Sequence, residues 1–178
     1  MSTATQELDL RFPIGKFDPA AYASREENIN TLAELPARLR AAVEALTDEQ
    51  LDTPYRPEGW TLRQTVHHIA DSHINTVIRF KLALTEDEPP TIKPYMEDRW
   101  AELADSKLPV DVSFAIIDGV HTRLVAMLRS LSEEEFQKEF IHPETGPWMI
   151  EKATALYAWH SKHHTAHITS TRGRNGWW

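Results

Sequence analysis

Four stretches of the chain repeat apolar residues at helical pitch, separated by segments rich in proline and glycine. From Tyr22 onward, Ile29, Leu32, Leu39, Val43 and Leu46 share one stripe, while Glu26, Arg38 and Glu44 fill the other faces. Pro36 falls inside this run and has no N–H, so it either kinks the helix or marks a separate turn before it. Thr61 to Leu84 contains neither proline nor glycine, and Leu62, Val66, Ile69, Val77, Phe80 and Leu84 form a second stripe. A third helix, with Asp111 as its expected cap, carries Ile117, Val120, Leu124, Met127 and Leu131; Gly119 weakens it without breaking it. The fourth, Ile150 to Arg172, departs from the pattern. Met149, Ala153, Leu156 and Tyr157 open its apolar face, and His160, His164 and His167 continue that face where leucines would be expected.

The connections are as informative as the helices. Thr47 to Gln50 and Ser132 to Glu135 are capping-box arrangements, each opening a short helix and each leading through proline and glycine to a tryptophan, Trp60 or Trp148. LTDEQLDTPYRPEGW and LSEEEFQKEFIHPETGPW thus form a faint repeat, which predicts two helical hairpins related by a pseudo-twofold. Glu86 to Pro109, with four prolines, is long for a connection and suits a crossover between helices that are not simple antiparallel neighbours. The opening LRFPIGKFDP reads as an extended arm lying on the domain, and no other segment reads as a strand. TRGRNGWW ends in two tryptophans expected to pack. The expectation is an all-α antiparallel four-helix bundle with a long crossover connection and an extended N-terminal arm, forming a single domain over residues 1–178.

Composition narrows the function. With 41% hydrophobic and 26% charged residues in 178, and no apolar run of membrane-spanning length, the chain reads as a soluble globular protein. Met1 to Phe12 shows no export signal, so the cytoplasm is the expected location. A net charge of -8 without a basic stripe argues against nucleic acid, and with no apolar run of spanning length no membrane partner is expected. Cysteine is absent, which excludes disulfides, thiolate metal sites and a cysteine nucleophile. Any metal must rest on His, Asp or Glu.

Two imidazoles at i and i+4 can clamp one ion from a single helix, and His160-x-x-x-His164 has that spacing. The pair defines a site only with a third ligand. In the second helix His73 lies mid-stripe with Val66, Ile69 and Val77, His67 lies at the stripe's edge, and His68 lies on the polar side with Thr65, Ser72 and Arg79. Periodicity alone favours His73 as the inward residue, and spacing does not choose the ligand.

The run Trp60-Thr-Leu-Arg-Gln-Thr-Val-His-His68 resembles the DinB-type pattern, in which a tryptophan opening a helix is followed eight positions later by the first metal histidine. His160-x-x-x-His164 resembles that superfamily's second motif. Together with LRFPIGKF, IRFKLALTE, IKPY and YAWHSKHHTAHI, these segments are similar to the YfiT-like, bacillithiol S-transferase-like family along essentially the whole chain. The resemblance implies a homodimeric four-helix protein with one divalent ion per chain, held by His68, His160 and His164, and described as a metal-dependent hydrolase. Ser161 and Lys162 stand between the paired histidines, so the glutamate of an H-E-x-x-H peptidase is missing. Three neutral imidazoles would leave the ion its full charge and an open position, for water or for a thiol. Zinc is the expected ion, with nickel suited to the same ligands.

Asp71, three residues beyond His68, is the candidate general base or a hydrogen-bonding support for that ligand, against a plain solvated acid on the helix. Arg79 is a candidate for an anionic substrate group or an ordinary salt bridge, and Lys93, Tyr95 and Glu97 are candidates for a lid. His163 and His167 flank the ligand pair as candidate donors supporting it, and His121 and His142 read as surface histidines. Hydrolysis of a small molecule ranks first; transfer of a low-molecular-weight thiol to a small electrophile and a non-catalytic metal-binding stress protein are the competing readings.

Overall fold

A computed structural model describes residues 9–178. The reading of Met1 to Phe12 for an export signal falls, for residues 1–8, outside the described residues. Four long helices, α1 (Arg25–Val43), α3 (Leu62–Thr85), α5 (Asp111–Ser130) and α7 (Ile150–Asn175), form the bundle. Between them lie three short helices, α2 (Asp48–Leu51), α4 (Glu97–Trp100) and α6 (Glu133–Phe136), and two strands, β1 (Glu139–His142) and β2 (Gly146–Met149). No helix among the described residues is long and apolar enough to cross a membrane.

Local chemistry sets the helix boundaries. Thr47 with Gln50 and Ser132 with Glu135 close capping boxes, and so do Ser24 with Glu27 on α1 and Thr61 with Gln64 on α3. Asp111 is not a cap: it stands in the first turn of α5, where its charge suits the helix dipole, and Val110 occupies the cap without a side-chain bond. α1 runs through Pro36 as one helix, so no separate turn precedes it, and the proline gives the Leu32 carbonyl no N–H. α7 passes Arg172 and ends at Gly176, whose φ of 65° places it in the left-handed region that glycine tolerates. Trp177 then packs back on the bundle and Trp178 stays exposed.

The order of the helices around the bundle corrects the hairpin expectation. α1 packs against α5 and α7, and α3 packs against α5 and α7, so α1 lies diagonal to α3 and α5 diagonal to α7. The apolar residues fall into two clusters stacked along the bundle. Ile29 and Leu32 of α1, Phe80 of α3, Leu124 and Leu128 of α5, and Ile150 to Ala158 of α7 belong to the first; Leu35 and Leu39, Leu62 to Ala70, Phe114 and Ile117, and Ile168 belong to the second. α3 and α5 therefore run parallel, opposite to α1 and α7, and the crossover over residues 86–110 must return the chain along the length of the bundle. That direction accounts for its length. The turn at Ala104–Lys107 and α4 punctuate it.

The repeat noticed in the sequence has a structural form that sequence periodicity missed. LTDEQLDTPYRPEGW closes through a bridge between its Pro54 and Thr61, the residue that follows it, and its counterpart closes as the β1–β2 hairpin, with Phe140 opposite Trp148 and Glu139 opposite Met149. Gly146, at φ 80°, makes the turn. Phe140 packs inward near Phe80, while Met149 is an exposed helix cap and not part of the α7 apolar face. The N-terminal arm forms no strand. It turns at Phe12 and Gly15 and lies along α7, with Phe12 against His163 and Phe17 against Trp159.

Candidate metal centre

Where the two apolar clusters meet, the bundle inserts a layer of histidines. α3 supplies His68 and His73, α5 supplies His121, and α7 supplies His160, His163, His164 and His167. His68, His160 and His164 each bring one ring nitrogen to within 4.8 Å of the others. The Nε2 atoms of His68 and His160 stand 3.1 Å apart, and the His164 ring meets both edge-on. The i, i+4 spacing on α7 stacks His160 beneath His164, and the antiparallel packing of α3 carries His68 across to them.

Burial governs their protonation. His68 is pushed down to about 4, chiefly because a cation there would lose its hydration, and next because His163 and His167 crowd it. Burial likewise holds His73, His160 and His164 well below the ordinary imidazole range. The donor set at neutral pH is three neutral imidazoles, the form that binds a divalent ion, and this chemistry fits a single metal.

The three rings open onto a cavity of about 1170 Å³. Trp60 lies over His68, its ring centroid 4.6 Å away, and its indole N–H donates to Asp98 at 3.1 Å, tying the crossover to the start of α3. Gln64 adds a second tie, donating to the Ala101 carbonyl at 2.8 Å. Tyr95 and Glu97 of the crossover line the cavity, as the lid expectation requires; Lys93 does not. Arg79 also lines it. It donates to the Tyr157 hydroxyl at 3.0 Å and has no carboxylate partner among the described residues, so the salt-bridge alternative does not describe it.

Asp71 is not brought to this cluster. Its carboxylate accepts no hydrogen bond among the described residues, it does not line the cavity, and its charged neighbour is Asp105. His73 is fully buried, as its place in the stripe predicts. His121 corrects the sequence reading: it is only 2% exposed and hydrogen-bonded at both ring nitrogens. The signal was present, because His121 stands four residues after Ile117 and three before Leu124, on the stripe itself. His142, by contrast, is partly exposed at the rim. His67 turns to the other side of α3, where Ser113 and the Leu108 carbonyl hold it. His163 stacks on Trp159 at 4.4 Å with its Nδ1 unpartnered among the described residues.

A helical bundle with parallel neighbours, α1 beside α7 and α3 beside α5, and a histidine cluster open to a cavity is the arrangement of a metal-binding bundle protein. The chain belongs to the DinB superfamily, which it matches over residues 11–168. It is 55% identical over 172 residues, 95% of this chain and 99% of the relative, to a Bacillus cereus (strain B4264) protein named "Putative metal-dependent hydrolase". A Bacillus thuringiensis relative of the same name is 54% identical with the same coverage. Among solved structures, YfiT from Bacillus subtilis, described as a probable metal-dependent hydrolase with an unusual four-helix bundle topology, superposes with a TM-score of 0.90 at 49% identity, covering 95% of this chain and 99% of that one. A mycothiol-dependent maleylpyruvate isomerase shares the fold, with a TM-score of 0.66 at 16% identity over 82% of this chain and 61% of that one.

Proposed function

We propose that this protein is a metal-dependent hydrolase of a small molecule, in which His68, His160 and His164 hold one divalent ion, zinc before nickel. The observation that carries the reading is three neutral imidazoles, His164 buried and His68 and His160 half-buried, converging from two helices on a cavity wall. An ion held there supplies a Lewis acid that activates water near neutral pH. The chain's own groups do the rest. Arg79, braced by Tyr157, offers a cation to a polar or anionic end of the substrate. Trp60 and Tyr95 cover the approach and reduce its hydration. Asp71, the base expected from the sequence, lies outside the cavity wall, so the reading gives it no contact with substrate. A cytoplasmic homodimer completes the proposal; exposed Ile78 and Leu82, one turn apart on α3, support a covered face.

The test begins with elemental analysis and sedimentation of protein made without a histidine tag. About one divalent ion per chain and a dimer are expected, and His160→Ala and His68→Ala should each lose the ion while keeping helical circular dichroism. The loaded protein is then offered esters, amides and lactones without thiol. Turnover should vanish with chelator, rise with pH through about 7, and survive Asp71→Asn. Turnover only in the presence of a low-molecular-weight thiol would replace hydrolysis with thiol transfer. Bound metal with no turnover under either condition would leave a non-catalytic metal-binding protein.

A further inference from the structure

We infer that His73, His121 and His167 are positioning residues: two hydrogen-bond chains, each ending on a backbone carbonyl, fix the tautomers of His160 and His164 so that both keep an Nε2 lone pair for the ion. The polarity follows from the chain ends. A carbonyl only accepts, and a neutral imidazole carries one N–H and one lone pair. Leu32 O lies 2.7 Å from His121 Nδ1, so His121 donates from Nδ1 and accepts at Nε2. His73 Nδ1, 2.9 Å away, must then donate, which leaves His73 Nε2 as acceptor. His160 Nδ1 donates to it at 3.2 Å, and His160 Nε2 is left bare, facing His68 Nε2. On the other side, His167 Nε2 donates to Arg11 O at 3.2 Å, so its Nδ1 accepts from His164 Nδ1 at 3.3 Å, and His164 Nε2 is left bare.

Pro36 explains why the first chain can end where it does. Within α1 the Leu32 carbonyl would normally accept the N–H of residue 36, and proline has none. His121 takes the place of that missing donor inside the core, where a carbonyl without a partner would be costly. A single residue on α1 thereby sets a proton's position on α7, through α5 and α3. The same logic disposes of a second possible ion. His163, His164 and His167 also converge within 4.8 Å, but the Nδ1 atoms of His164 and His167 are engaged with each other.

The inference rests on the proposed metal site for its purpose but not for its first test. Long-range nitrogen–proton NMR of the imidazoles in the metal-free protein at pH 7.5 should show Nδ1–H at His73, His121, His160 and His164, and Nε2–H at His167. Nε2–H at His160 or His164 overturns it, whether or not the protein binds metal. Zinc affinity, read by competition with a chelating dye, should fall about 10–100-fold in His121→Phe. His121→Gln should restore it, since the amide can donate to Leu32 O and accept from His73. Equal affinity in a folded His121→Phe, or two zinc ions per chain at saturation, would also overturn it; should His121→Phe not fold, the wild-type tautomers decide.

Discussion

Asp71 is a carboxyl placed where its neutral form is favoured. Burial, and then the nearby Asp105, push it up to about 6, and no donor among the described residues meets the charged form. A carboxyl whose folded pKa lies above its unfolded value contributes stability below the unfolded value, and that contribution is lost as pH rises through about 6. Asp71→Asn should therefore stabilise the protein at pH 7.5 by about 1 kcal/mol after allowing for partial exposure, ~2–4 °C in Tm, and the gain should vanish near pH 4. Thermal melts at the two pH values check this; an equal gain at both would refute the pH argument. At this scale the sequence was readable where periodicity and chemistry agreed, as for buried His73. It misled where a polar residue sat on an apolar stripe and was assigned by type, as with His121. Spacing alone saw His160 and His164, but which α3 histidine faces them depends on how α3 is rotated against α7, and no local pattern records that.

At the scale of elements, α1 carries two local costs with different fates. Pro36 removes a helical hydrogen bond, and His121 fills the place. Ala45, just past the helix end, sits at φ 61°, where its Cβ crowds the backbone, and nothing offsets this beyond the Leu46 N–H closing on Val43 O. Ala45→Gly should remove that strain and raise stability by about 1 kcal/mol, measured as a higher urea midpoint at unchanged m-value. A lower midpoint would mean that the Ala45 methyl makes packing contacts worth more than the strain. The long helices were legible because their stripes run several turns. The β1–β2 hairpin was not: its strands are four residues each, and its partner segment in the repeat forms only one bridge. Stripes also say which face of a helix is apolar without saying which helix covers it, so the parallel pairing of α3 and α5 stayed hidden.

For the molecule as a whole, the histidine layer divides the core and makes its cohesion pH-dependent. His68, His163 and His167 are each pushed down to about 4, chiefly by burial. The unfolded chain, with imidazoles near 6.5, then binds more protons than the folded one between those limits. Stability of the metal-free protein is complete above about 6.5 and falls as pH drops towards about 4, by about 1.4 kcal/mol per pH unit for each excess proton. Asp71 opposes this as one group against several. Urea unfolding in the presence of chelator should give a clearly lower midpoint at pH 5 than at pH 7.5, and an equal midpoint would mean that the layer is protonated in the folded state.

The pairing of α1 with α7 bears on how the protein is made. A simple up-and-down bundle can begin closing when its second helix appears, but here the first long helix waits for partners that follow only after the crossover, α5 and then α7. While the chain emerges from the ribosome, α1 lacks the two helices that flank it, and α3 has only half of its neighbours until α7 arrives. Native contacts between distant segments slow folding, so closure of the bundle is a late, nearly all-or-none event of synthesis, and the histidines of α3 meet those of α7 only in that last step.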